Sequence, residues 1–198
     1  CAFTSQGTKT GERVLIKLEP KDQEFKTLED LGMREKMVTQ FKTLVGRSLG
    51  DEIPPPVKGL FVISAPATGG MSTIWRVALE ATDRYMNSCV CVDAETPTEP
   101  EVENVKAVSY DPKNPAELQQ IMTKLFREQH DMYLFPRMPN REILDVLCQQ
   151  IVDEEIVVFV GVNAKDSAEA LLRIKSLNPN AGNFSQAVTA ALNMRLVR

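Results

Sequence analysis

The sequence predicts an α/β fold, a mostly parallel sheet with helices on both faces. Two observations carry that prediction. Four short apolar runs, Gly59–Ser64, Cys89–Asp93, Met132–Phe135 and Ile156–Val160, have the length and continuity of strands covered on both sides. Between them lie stretches whose apolar residues return every three or four positions, the period of an amphipathic helix. Buried strands alternating with helices make the pattern of a parallel sheet with two covered faces.

The elements follow in order. Residues 1–10 are polar and carry a glycine, which suits an unanchored end, and Val14–Leu18 reads as a strand. Leu31, Met33, Met37, Phe41 and Leu44 mark a helix starting near Met33. Gly50–Pro56, with three consecutive prolines, is an exposed loop because proline lacks the donor that helix and sheet need. After the strand at Gly59–Ser64 comes a turn over 65–70, then Ile74, Val77, Ala78, Ala81 and Tyr85 share one helical face. Cys89–Asp93 and Val105–Tyr110 are strands, and Leu118, Ile121, Met122, Leu125 and Phe126 form the next stripe. Met132–Phe135 is a strand, followed by a stripe of Ile143, Leu144, Leu147, Cys148 and Ile151. Ile156–Val160 is the last strand read, and Ala168, Leu171 and Leu172 begin a final stripe.

Composition narrows the function classes. The 198 residues suffice for one large domain, and 43% hydrophobic with 25% charged residues is ordinary for a folded globule. A net charge of −4 without a basic tract excludes a surface built to neutralise nucleic-acid phosphates. No apolar run approaches the roughly 20 residues of a membrane span, and no signal-peptide pattern opens the chain. Cys1, Cys89, Cys91 and Cys148 have no metal-ligand spacing and read as small hydrophobes of a reducing compartment, so a cytoplasmic location is expected. Cys89 and Cys91 fall on one face of their strand. The chain starts at Cys1 rather than a methionine, which suits a fragment or processed chain.

In a parallel sheet, ligands sit at the carboxyl ends of the strands, and the first strand-to-helix turn is the usual phosphate seat. Here that turn is Ala65-Pro66-Ala67-Thr68-Gly69-Gly70-Met71-Ser72-Thr73. A phosphate-binding loop reads GxxxxGK[ST], in which amides wrap the phosphates, the lysine neutralises them and the hydroxyl holds magnesium. Gly70, Ser72 and Thr73 are kept, but Ala65 replaces the first glycine and Met71 the lysine. Taken alone, the turn better suits a generic connection capped by Ser72 or Thr73.

Other segments resemble the motor domain of type II secretion and type IV pilus assembly ATPases. Thr27–Met33 is similar to that family's LEDLG segment, and Ala65–Thr73 aligns without a gap on its GPTGSGKTT loop. Phe126–Glu142 resembles LRQDPDIIMVGEIRDLETA, Ala164–Ile174 resembles TNDAPSALTRL, and Met194–Arg198 matches QRLVR. The resemblance runs from about Gly11 to Arg198. It implies a RecA-like P-loop NTPase fold working as a hexameric ring with ATP between subunits. Residues 1–26 then end a preceding domain or linker with one strand, and 27–198 form the motor domain, stopping before the family's zinc-binding CxxC.

Against that pattern the catalytic positions depart. Met71 stands for the lysine, removing a positive charge that a thioether cannot replace. In the Walker B region, which includes Asp131, Arg137 stands for the glutamate and Pro136 for the adjacent glycine. A guanidinium stays protonated and cannot polarise an attacking water. Phe159–Ala164 replaces STLHTN without a histidine, and the acidic box survives only as Asp93 and Glu95. Arg137 could supply part of the missing charge, or simply sit in a salt bridge or in solvent. The only histidine, His130, reads as a solvated loop residue, Trp75 as packing, and Asp153–Glu155 as a polar turn.

The expected function is a motor fold kept without hydrolysis, a pseudo-ATPase with a structural or regulatory role in a secretion or pilus machine. A weak ATP or ADP sensor using the loop amides, Ser72 and Arg137 is the alternative, and an ATPase with relocated groups the third reading. No metal or resident cofactor is expected. Expected partners are proteins of such a machine and copies in a homo- or hetero-oligomeric ring, in the cytoplasm or peripheral at the inner membrane.

Overall fold

The computed structural model describes residues 2–8, 11–17, 25–47, 56–94, 102–154, 156–177 and 180–195. Two strands, β1 (Ala2–Thr8) and β2 (Gly11–Lys17), pair antiparallel with Ala2 opposite Lys17 and Thr8 opposite Gly11. Residues 2–8 are therefore anchored, contrary to the expectation of an unanchored end. Main-chain pairing holds the polar run AFTSQGT, and side-chain periodicity does not report main-chain pairing. Leu18 and the Gly50–Pro55 part of the expected loop lie outside the described residues, and Pro56 has no regular structure.

The main sheet has six parallel strands: β3 (Gly59–Ala65), β4 (Cys89–Asp93), β5 (Val105–Ser109), β6 (Met132–Phe135), β7 (Val157–Asn163) and β8 (Val188–Asn193). Their order is β5-β4-β6-β7-β3-β8. The helices are α1 (Glu35–Leu44), α2 (Met71–Glu80), α3 (Pro115–Glu128), α4 (Arg141–Glu154), α5 (Ser167–Leu177) and α6 (Ala181–Ala187). All seven residues of β3 are buried, because alternate residues face opposite cores. Leu60 and Val62 join Val158, Val160, Tyr133 and Phe135 beneath α3, α4, α5 and α6. Phe61 and Ile63 join Phe159, Leu134, Ile74 and Trp75 beneath α1 and α2. Phe61 stacks on Phe159 at 5.0 Å between ring centroids, and Phe41 of α1 meets Phe61 edge-on at 6.4 Å.

Local chemistry sets several boundaries. The Asn140 side chain accepts from the Ile143 amide at 3.0 Å and caps α4, and Asp166 does the same for Glu169 in α5 at 2.7 Å. Proline at the first position of α3 costs no helical hydrogen bond there. The stripe read through Tyr85 ends sooner than expected. The α2 helix stops at Glu80, and Tyr85 lies in the following turn, 67% exposed. Helix α6 and strand β8 were not read from the sequence. The residues of β8 are all half-buried, and its identity depends on pairing with β3, far away in the chain. No helix among the described residues is long and apolar enough to cross a membrane.

Candidate functional site

All six strands run the same way, so the ends of β3, β4, β6 and β7 meet at one edge of the sheet. The turn from β3 is tight there. The Gly69 amide donates to the Pro66 carbonyl at 2.8 Å, and a Cβ on Gly69 would stand 2.8 Å from that same oxygen. Thr68 holds φ at 60° and Gly70 at 90°, both in the left-handed region. Gly70 accommodates this without cost, whereas a β-branched residue does not. Gly70, rather than Ser72 or Thr73, is the N-cap of α2 and makes no side-chain cap bond. Its carbonyl accepts the first helical bond, from Ile74 at 3.0 Å. Ala65 is fully buried at the end of β3, where its carbonyl accepts from the Ala164 amide after β7.

A cleft of about 570 Å³ opens between this helix start and the strand ends. Met71, Ser72 and Trp75 line it from α2, and Asp93 lines it from β4. Pro136, Arg137 and Met138 follow β6, Gly161, Val162 and Asn163 close β7, and Arg173 reaches in from α5. Gly161 brings three elements together. A Cβ there would overlap the Pro136 carbonyl oxygen and stand 2.7 Å from Met71 Cε. The Met71 side chain thus spans from α2 to β7, in space that exists because residue 161 has no side chain.

The charges lie at the rim. Arg137 Nε is 3.8 Å from Asp93 Oδ1, with the arginine 56% and the aspartate 20% exposed. Asp93 Oδ1 also accepts from the Ala94 amide at 2.7 Å. Burial, then the nearby Asp93 carboxylate, raise the Tyr110 hydroxyl above its usual pKa, while Arg137 pulls it down. Arg173 donates through Nε and an Nη to Glu169 at 3.1 and 2.8 Å, and through its other Nη to the Asn163 carbonyl at 2.6 Å. It clamps α5 onto the end of β7.

The structure therefore brings Met71, Ser72, Asp93 and Arg137 into one cleft, with Thr68, Gly69, Gly70 and Thr73 in the turn and helix beside it. Glu95 lies outside the described residues. Asp131 does not join them. It precedes β6 at the opposite end of the sheet, where its carboxylate accepts from the Ser88 amide at 2.7 Å. His130, expected in solvent, is 11% exposed there. Its Nδ1 is 2.6 Å from Ser88 Oγ and its Nε2 3.1 Å from Glu128 Oε2. Glu128 is local, two residues before it, but Ser88 comes from the start of another strand, which no local pattern could reveal. Trp75 is 3% exposed, so it both packs the core and floors the cleft. Arg173, Met138, Gly161 and Asn163 were missed as cleft residues; the Glu169–Arg173 spacing on a helix was the one local signal for Arg173.

A family model described as "Type II/IV secretion system protein" matches residues 6–198. The chain belongs to that family. Among curated members, it is 21% identical over 189 residues to the type IV pilus assembly ATPase PilB of Thermus thermophilus. It is 24% identical over 188 residues to type II secretion system protein E of Dickeya dadantii. Each match takes in 95% of this chain but only 20% and 35% of the relatives' lengths. Among solved structures, the pilus retraction motor PilT with bound ADP superposes with a TM-score of 0.63 at 17% identity, over 99% of this chain and 59% of that one. The VirB11 ATPase of Brucella suis, in complex with sulphate, gives 0.59 at 10% identity, over 93% of this chain and 62% of that one. The fold is thus that of the RecA-like secretion ATPase domains, and the secretion-family turn after β3 stands where the sequence placed it.

Proposed function

We propose that this domain is a non-hydrolysing member of the secretion ATPase family, a motor fold serving a structural or regulatory role in a secretion or pilus machine. The observation that carries the reading is Met71. The family-like turn leads into α2 with a methionine at its first residue, and the methyl packs against Gly161 where a phosphate-facing lysine would extend. Arg137, at the position the resemblance gives to the catalytic glutamate, engages Asp93 instead of a water. The Gly69 amide is spent on Pro66, which leaves fewer donors for an anion. The α2 N-terminus contributes on the order of 1 kcal/mol to anion binding, too little to replace a lysine set on the phosphates.

Loss of charge stabilisation and of water activation each costs about 3–4 kcal/mol at the transition state, so no ATP turnover is expected. Nucleotide binding is expected at about millimolar affinity or weaker. No metal or cofactor belongs to this reading. The domain acts in the cytoplasm or at the inner membrane, in a ring with copies of itself or with related subunits. The test is magnesium-dependent phosphate release together with calorimetry at low salt. Turnover that Ser72→Ala abolishes would sink the proposal. Micromolar ATP binding that weakens on Arg137→Ala would instead make the domain a nucleotide sensor.

A further inference from the structure

We infer that the amino end of the sheet holds a second ligand site, one that takes a small aliphatic diamine in its doubly charged ammonium form. A cavity of about 480 Å³ lies there, at the opposite edge of the sheet from the Met71 cleft, within the roughly 300–1,000 Å³ of small-molecule sites. No lysine or arginine lines it. Two carboxylates do, from Asp131 before β6 and from Glu154 at the end of α4. Asp131 accepts from the Ser88 amide, which keeps its negative charge beside the cavity. Glu154 is exposed, and among the described residues its carboxylate has no hydrogen bond and no ion pair.

The fold adds to those charges. Helices that return between parallel strands bring their carboxyl ends to the amino end of the sheet. Phe126 and Gln129 line the cavity from the end of α3, and Gln150 and Glu154 from the end of α4, so the negative ends of two helix dipoles meet there. Gln150 likewise has no partner among the described residues, and its amide oxygen can accept from an ammonium. Phe126 and Tyr133, with ring centroids 5.3 Å apart, supply an aromatic wall, and the Tyr133 hydroxyl is already given to the Leu125 carbonyl at 3.2 Å. Such a wall attracts a cation and covers the methylenes that join two of them. His130, the one lining side chain that can become cationic, is held by Ser88 and Glu128. A bare metal ion is not fitted, because among the described residues no three His, Cys, Asp or Glu side chains converge to hold one.

The probe is 1,4-diaminobutane, titrated into the intact chain by calorimetry at low salt, with 1,4-butanediol as its neutral counterpart and magnesium chloride as an inorganic dication. Saturable diamine binding at about 0.1–1 mM is expected, with none for the diol. Glu154→Gln should weaken it about threefold to fivefold, and Gln150→Glu, which adds a carboxylate to the same wall, should tighten it by a similar factor. Circular dichroism and melting of both variants show that they fold. No diamine binding up to about 10 mM overturns the inference. So does an affinity unchanged in either variant, since the probe then sits elsewhere. Binding of the diol as tightly as the diamine, or displacement of the diamine by an equal concentration of magnesium, overturns it too, because the cavity then reads neither charge nor shape. None of these outcomes depends on whether the Met71 cleft binds nucleotide, so this inference and the non-hydrolysing reading fail separately.

Discussion

The carboxyl and amino ends of the sheet are built from the same strands, yet they use their polar residues differently. At the amino end, side chains bond to each other across elements. Ser88 meets His130 and Asp131, His130 meets Glu128, and Glu128 takes Lys106 at 2.7 Å. At the carboxyl end the cross-element contacts of polar side chains include Arg137 with Asp93 and Asn193 with the buried Ser64, while a glycine, a proline and a methionine pack the floor of the cleft. The bonded cluster of Ser88, His130, Asp131 and Glu128 is thus the stitched end, and the cleft lined by Met71 and Arg137 lies at the other. Titratable residues alone do not mark a functional site; what they are already committed to matters more.

The sharpest way to break this contrast is at Gly161. If the carboxyl end is packed as described, Gly161→Val forces a side chain into the Pro136 carbonyl and the Met71 methyl, and should cost about 3 kcal/mol or more. Urea unfolding at neutral pH measures it. A loss under about 1 kcal/mol would mean the floor yields, and Met71 would no longer count as fitted.

At the amino end the expected effect is smaller. His130→Ala removes contacts to Ser88 and Glu128 and an edge-on contact with Tyr133 at 6.2 Å, worth about 1–2 kcal/mol together. The same network makes a pH prediction. Hydrogen bonds from Lys106, then His130, hold the Glu128 carboxyl below its usual value of 4.5. A lowered folded pKa means that stabilisation is present above 4.5 and lost as pH falls through the folded value. NMR titration should place Glu128 below the usual range and return it towards 4.5 in Lys106→Met. An unmoved Glu128 would remove Lys106 from the network.

These two ends also show what the sequence could and could not reveal. Strands β3, β6 and β7, buried throughout except for Asn163, were legible because burial on two faces forces continuous apolar runs. The stripe of α4 matched residue for residue, since Ile143, Leu144, Leu147, Cys148 and Ile151 are all buried. Strand β8 was not legible, because its place is fixed by main-chain pairing and by Ser64, whose Oγ donates to the Leu192 carbonyl at 3.0 Å. In the site, Met71, Asp93 and Arg137 could be placed through the resemblance. The importance of Gly161 could not, because it arises only where β6, β7 and α2 converge. The end of α2 failed for a different reason: apolar spacing continued to Tyr85 after the helix had stopped.

The turn itself should respond in the opposite direction to most substitutions. Thr68 pays for a left-handed backbone with a β-branched side chain, at roughly 1–2 kcal/mol. Thr68→Gly removes that strain but loosens the unfolded chain, so a net gain of about 0.5–1 kcal/mol is expected in a thermal melt. A loss instead would show that the Thr68 side chain is held by something that outweighs its backbone.

The smallest effect tests the rim of the cleft without disturbing the fold. Arg137 is more than half exposed and its contact with Asp93 is long, so Arg137→Gln should change stability by less than about 0.5 kcal/mol. Its electrostatic signature is nonetheless readable at Tyr110. That hydroxyl is raised by burial and by Asp93 and lowered by Arg137, so the two rim variants must shift it in opposite directions. Arg137→Gln removes the cation that favours the phenolate, and Tyr110 should titrate higher still. Asp93→Asn removes the anion that opposes the phenolate, and Tyr110 should titrate lower. Ring-carbon NMR resolves Tyr110 from Tyr85 and Tyr133, and the double variant should fall between the single ones. Shifts of the same sign would mean that the strand ends rearrange when either charge is lost. The rim would then belong with the stitched end of the sheet, and the contrast between the two ends would fail at its weakest contact.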